Sequence, residues 1–453
     1  MRFLSFLAAL LIMAAATLPQ ASAQSPSGAF EADTFILENG LQVVVIPQRR
    51  VPVVTHILFY KAGGADEEPG QSGIAHFFEH LMFKATKTHE AGTFEAAVKA
   101  VGGNQNAFTT NDFTAYFEQV PPSALGEMMA FEADRMRNLV LSDEAIETER
   151  RVVMEERLMR VDNDPSGILQ EAIGAALFHN HPYGTPVIGW MHEIEHLTKE
   201  QLQTFYDEYY RPNNAVLVVA GDVDVETVRK LAEETYGKLE RGPDLPPRIR
   251  PMEPEPKVEQ AQILRDPRVT LPSFSRNWFG PAPFGQNRDD ADALVLLATI
   301  LGGGERSRLY QELVVKKQIA SSAGAWTSMN FRDYSRIGVY ASPIDPDKLR
   351  EVQQAVDQEL EKMASENVSD HELETAKKVL ASQLLLSWER QMSRALEVGT
   401  TLMVGGTLDD VASIRERIDA VTADRIRDVA QRYLTIRRSV AGYLLPVGAE
   451  DPA

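Results

Sequence analysis

Two histidines and a glutamate fall at intervals of three and four residues in the run Gly73-Ile74-Ala75-His76-Phe77-Phe78-Glu79-His80-Leu81-Met82. The surrounding residues are apolar and helix-like, and on a helix those intervals bring all three side chains to one face. Two neutral imidazoles four apart can grip one divalent metal ion, and a carboxylate beside them can take a proton from water. The chemistry implied is metal-assisted hydrolysis. The chain has no cysteine, so every ligand must be His, Asp or Glu.

A catalytic metal site needs a third ligand. Glu149 and Glu156 lie seven apart in the segment Glu149-Arg150-Arg151-Val152-Val153-Met154-Glu155-Glu156, and on a helix they share a face. Glu155 points about 100° away and is the weaker choice. Taken alone, this segment also reads as a solvated, charged helix face. A second stretch, His192-Glu193-Ile194-Glu195-His196, repeats the two-histidine spacing. It falls just before a helix start at Thr198, leaving barely one turn to hold two ligands, and it lacks apolar flanks to exclude water. The first site is therefore preferred.

Elements must position these groups. At 453 residues the chain exceeds what one core usually serves, and 44% hydrophobic content is that of a globular protein. Residues 1–23 read as a cleaved secretory signal, with Arg2, an apolar run and Ala21-Ser22-Ala23, which places the mature protein across the inner membrane, in a periplasm. No later stretch approaches the ~20 apolar residues of a membrane span, so stable membrane insertion is not expected. A net charge of -19 disfavours nucleic acid and anionic lipid as partners.

The pattern predicts strands over 34–47 and 51–61, the metal-motif helix, a helix over 93–101, and a strand pair over 104–120. Helices over 123–139, 143–161 and 166–177, a buried strand over 215–223 and a helix over 225–239 follow. Six prolines in 241–256 mark an interdomain linker. The second half repeats the first. Ser142-Asp143, Glu147-Thr148 and Arg150 match Ser369-Asp370, Glu374-Thr375 and Lys377 at a constant offset of 227. The expected fold is α+β, with two homologous domains, 24–240 and 257–453, each an antiparallel sheet with helices packed on it. Laying the helix expected over 307–317 on the metal helix puts Arg308, Gln311 and Glu312 where His76, Glu79 and His80 stand. At the offset of 227, Gln383 stands for Glu156, so no second metal site of this kind is expected.

The runs at 76–86, 102–110 and 149–156 together resemble the pitrilysin/insulinase superfamily, the H-x-x-E-H inverzincin zinc peptidases. The nearest pattern is the half-length branch that includes processing peptidases, and the likeness spans the mature chain. It implies one zinc ion held by His76, His80 and Glu156, with Glu79 as general base and Glu149 supporting the site. It also implies an edge strand, Asn106-Ala107-Phe108, on which an extended peptide is laid by strand addition, a packing role for His181-Pro182-Tyr183-Gly184, and a clam-like chamber between domains. Catalytic relatives hold substrate and oxyanion with an Arg and a Tyr seven apart in the second half. The matching residues here are Val314 and Ser321. The resemblance therefore implies either an active heterodimer with a related chain carrying that pair, or a zinc-retaining subunit that binds peptides without cleaving them.

Overall fold

Strands rich in Val, Ile, Leu and Phe assemble two sheets, one in each half of the chain. The computed structural model describes residues 31–450, so the signal expected over 1–23 lies outside the described residues. In the first half, β1 (Asp33–Ile36), β2 (Gln42–Pro47), β3 (Val54–Tyr60), β4 (Asn104–Thr109), β5 (Thr114–Val120) and β6 (Ala215–Gly221) form a six-stranded sheet. Its order is β1-β2-β6-β3-β5-β4. Every residue of β3 and β6 is buried, as expected of strands covered on both faces.

In the second half, β7 (Gln260–Arg265), β8 (Ser273–Gly280), β9 (Ala320–Ser328), β10 (Ser335–Pro343) and β11 (Val440–Leu445) take the order β7-β11-β8-β10-β9. Without β1, the first sheet has the same order and the same directions. β2 runs parallel to β6 as β7 does to β11, and the remaining neighbours are antiparallel. Each sheet thus mixes one parallel pair into an otherwise antiparallel ladder. The duplication seen in the sequence offset is a duplication of topology.

Seven helices matter for the site: α1 (Ile74–Leu81), α2 (Thr93–Ala100), α3 (Asp143–Arg157), α4 (Pro165–Leu177), α5 (Arg288–Gly302), α6 (Asp370–Trp388) and α7 (Gln391–Met403). Ser142 caps α3 and Ser369 caps α6, each hydroxyl accepting the backbone N–H three residues on. Helix α3 does not run on to 161. It widens into a π turn over Leu158–Asp162, and Asp164 then caps α4.

Element order also corrects the helix alignment between halves. α1 packs on α3 and β4, and its counterpart packing on α6 and β9 is α5. The segment holding Arg308 corresponds to α2 instead, and its turns over Tyr310–Lys316 are of π width. The apolar periodicity of the two segments is similar, and only the order of elements separates them. α5 contains no histidine, so the second half still lacks the metal motif. Arg308 is used structurally, donating to Glu372 through Nε at 2.6 Å and Nη2 at 3.0 Å.

The two halves exchange cover. Helix α4 of the first half packs on β11 and β7, and α7 of the second packs on β6 and β3. Contact is close: a Cβ at Gly399 of α7 would stand 2.1 Å from the Phe59 ring, so only glycine fits there. A core fills each half, and a third cluster joins Leu169, Ile173, Phe178 and Tyr183 to Phe279, Val440 and Leu444 across the boundary.

The Pro-rich segment is a strap and carries no regular structure over 241–256. Arg250 bonds Asp66 (3.0 Å) and Asp112 of the first half and Asp333 of the second (2.8 Å). Glu253 accepts the backbone N–H groups of His179, Asn180 and His181 at 2.9–3.0 Å. The HPYG loop is thereby packed: His181 and Tyr183 are buried, and the Tyr183 hydroxyl donates to Asp112 at 2.6 Å.

Candidate active site

Helix α1 starts where Gly73 turns the chain at φ 85°, and a Cβ there would meet the Ile188 carbonyl oxygen at 2.7 Å. Glu67 caps the helix, its carboxylate accepting the N–H groups of Gly73 and Ala75, both at 3.0 Å. Ile74, Ala75, Phe77, Phe78 and Leu81 face the core, and Phe78 stacks on Tyr206 with ring centroids 5.3 Å apart. The opposite face presents His76, Glu79 and His80 to a cleft of about 540 Å³.

Helix α3 lies across that face. His76 Nε2 and His80 Nε2 converge on one oxygen of Glu156, at 3.6 and 3.2 Å. One ligand atom from each of the three residues falls within 4.8 Å of the others. Glu149 stands one step back, 3.4 Å from His80 Nδ1, and its second oxygen is paired with Lys84. That is the carboxylate–histidine arrangement that orients a metal-ligating imidazole. Arg160, on the π turn, holds the other oxygen of Glu156 at 2.7 Å.

Burial pushes His76 down to about 3, which keeps its imidazole neutral and its lone pair available. Burial works the same way on His80, but Glu149, Glu79 and Glu156 outweigh it and hold that imidazole above its ordinary range. Glu79 is raised by burial, and Glu149 is held low by His80 and Lys84 against the burial penalty. Two imidazole nitrogens and a carboxylate oxygen converging over a cleft are a donor set that fits zinc with an open position.

Asn106, Ala107 and Phe108 lie on β4, an edge of the first sheet, and line the same cleft. Asn106 Oδ1 accepts the N–H of Ala107 at 2.9 Å, and Phe108 packs edge-on against Phe113. The structure also gathers Thr109, Lys84, Arg160, Val187 and Ile188, which the sequence reading did not single out. Arg160 was within reach of that reading, since it lies four residues after Glu156. Thr109 and Ile188 arrive only through folding.

The second histidine pair does not assemble. Only His192 lies on the single helical turn Met191–Ile194, with its side chain 76% exposed, and His196 falls beyond that turn. His196 Nδ1 lies 2.6 Å from the carbonyl oxygen of His192. Glu193 instead accepts the N–H of Ser72 at 2.6 Å, bracing the loop before α1. Another carboxylate–histidine trio, His56, Glu118 and Glu132, is wholly buried, but Arg135 interleaves with both glutamates, so it is a charge network.

The residues lining the cleft at the histidines all belong to the first half. Val314 packs against the second core, and the Ser321 hydroxyl donates to the Ser342 carbonyl at 3.2 Å.

A duplicated α+β framework with a His/His/Glu cluster beside a free sheet edge is the architecture of a metallopeptidase family. Residues 42–190 match the insulinase family, peptidase family M16, and residues 196–380 match the M16 inactive domain. The chain is 33% identical over 438 residues to an uncharacterized zinc protease of Mycobacterium tuberculosis, covering 96% of this chain and 97% of the relative. It is 32% identical over 417 residues to the zinc protease PqqE of Helicobacter pylori, covering 91% and 93%. The crystal structure of a protease from H. pylori superposes with a TM-score of 0.86 at 29% identity, over 92% of this chain and 100% of that one. An M16 inactive-domain structure from Pseudomonas fluorescens shares the fold, with a TM-score of 0.81 at 17% identity over 93% and 100%. The chain belongs to the M16 insulinase family of peptidases.

Proposed function

We propose that this chain is the zinc-bearing subunit of an endopeptidase that cleaves unfolded peptides outside the cytoplasm and is completed by a related chain. The observation that carries this reading is the convergence of His76, His80 and Glu156 beside Glu79, in a cleft edged by β4. His76, His80 and Glu156 would hold one zinc ion, which when bound polarises the scissile carbonyl and makes water a nucleophile at neutral pH. Glu149 orients His80, and Arg160 turns one Glu156 oxygen away from the histidines, leaving the other toward them. Glu79 takes the proton of the attacking water and delivers it to the leaving amine. The edge of β4 binds the substrate backbone, and an extended, unfolded segment satisfies it.

Donors for the developing oxyanion are the missing part. The second half has Val314 and Ser321 at the positions where relatives carry an Arg/Tyr pair, and it lines none of the cleft. A missing oxyanion donor costs roughly 3 kcal/mol of transition-state stabilisation. A second chain presenting those donors to the open face restores them. The other reading, a zinc-retaining subunit that binds peptides without cleaving them, is favoured by the same substitutions. The test is peptide cleavage by the purified zinc-loaded chain alone and mixed with an M16 relative that carries the Arg/Tyr pair, sought first in the neighbouring reading frame. Activity only in the mixture supports the heterodimer. Full activity of the chain alone overturns the need for a partner. Zinc and peptide binding without cleavage in any mixture supports the binding subunit.

A further inference from the structure

We infer that Thr109 is a positioning residue that ties the general base to the strand on which substrate is laid. This inference rests on the peptidase reading of the cleft. Thr109 is the last residue of β4, and its hydroxyl donates to Glu79 Oε2 at 2.6 Å. A hydroxyl has one proton, so this donation commits it, and the bond is charge-assisted when the carboxylate is ionised. One Glu79 oxygen is thereby occupied, and the other is left to face water and the substrate.

The tether is anchored at both ends. Glu79 stands on α1, whose N-terminus is capped by Glu67 and whose apolar face is locked in the core. Thr109 pairs with Thr114 across the β4–β5 hairpin, and the Thr114 hydroxyl donates to the Ala62 carbonyl at 2.9 Å. The glutamate is therefore held by a helix and by a strand, and the strand is the one carrying Asn106, Ala107 and Phe108. A peptide that adds to the edge of β4 takes its register from that backbone. Its register and the base are then referenced to the same strand. Catalysis needs such groups placed to within about half an ångström, which a glutamate free to change rotamer does not supply.

The experiment compares Thr109→Val, which keeps the shape and removes the hydroxyl, with Thr109→Ser, which keeps the hydroxyl and removes the methyl. Zinc content and thermal midpoint are measured on the full mature chain, and a crystal structure of each variant reports the Glu79 rotamer. Peptide cleavage is measured in whichever preparation makes the wild type active. Thr109→Val is expected to retain zinc, to spread Glu79 over more than one rotamer, and to lower kcat about tenfold with KM nearly unchanged. Thr109→Ser is expected to recover a single rotamer and most of kcat. The inference is overturned if Thr109→Val keeps one Glu79 rotamer and wild-type kcat, or if Thr109→Ser is as impaired as Thr109→Val. Glu79→Gln separates the two claims: undiminished cleavage by that variant removes the assignment of Glu79 as base, and the rotamer comparison then judges the tether alone. If the wild type cleaves nothing in any preparation, the crystal structures still decide it.

Discussion

At the scale of single residues, the cluster divides labour between groups that would touch the metal and groups that aim them. His76 is kept neutral by burial, so its lone pair is available without a competing proton. Glu156 and Glu149 are seven residues apart on α3, yet their roles differ because the helix crosses α1 at an angle that places only Glu156 near both Nε2 atoms. His192 and His196 have the same spacing as His76 and His80, but both are exposed and the helical turn ends at Ile194, before His196. His76→Ala is therefore expected to lose bound zinc, and His192→Ala to retain it, as measured by metal analysis of the purified proteins. The reverse result would transfer the site to residues 192–196.

At the scale of elements, charged side chains fasten the pieces that carry the site. Arg250 of the strap is 7% exposed and faces Asp66, Asp112 and Asp333. Replacing it by Met removes the cation facing Asp112, while Arg248 still pairs with Asp66 and His181 still faces Asp333; the expected loss is about 3 kcal/mol, the low end for breaking a buried pair. Urea unfolding of Arg250→Met should show that drop. The Arg308–Glu372 pair tests the second half. Its hydrogen bonds from Arg308 hold the Glu372 carboxyl at about 2, below the ordinary 4.5. The unfolded chain binds the extra proton, so the stabilisation is full above about pH 4.5 and is lost as pH falls toward 2. Glu372→Gln should cost about 1 kcal/mol at pH 7, a partly exposed pair being screened, and the difference from wild type should vanish near pH 2. A constant difference across that range would mean that packing, rather than charge, is lost.

At the scale of the whole molecule, the exchange of α4 and α7 makes the two halves one cooperative body. Each sheet has one face closed by a helix from the other half, so a chain cut at the strap exposes Phe59 and the β3–β6 surface. Residues 24–256 expressed alone are expected to lack the near-ultraviolet circular dichroism of fixed tertiary packing, and adding residues 257–453 should restore it. A cooperative, native-like unfolding transition of the first half alone would show that the exchanged helix is dispensable. The residues lining the cleft at the histidines all belong to the first half.

Much of this was legible in the chain itself. Local spacing determined that His76, Glu79 and His80 share a helix face, and that Glu149 and Glu156 share another, because helical periodicity is a property of neighbours in sequence. Alternating and continuous apolar runs determined most elements, and the offset of 227 determined the duplication. The tertiary structure alone decided what depends on contacts between distant segments. It brought one oxygen of Glu156 near both histidine Nε2 atoms, matched α5 rather than the Arg308 segment to α1, and turned a Pro-rich linker into a buried ionic strap. It also brought Thr109 to Glu79 across 30 residues of chain. Such juxtapositions are set by how helices and sheets pack, and no local propensity encodes the packing partner.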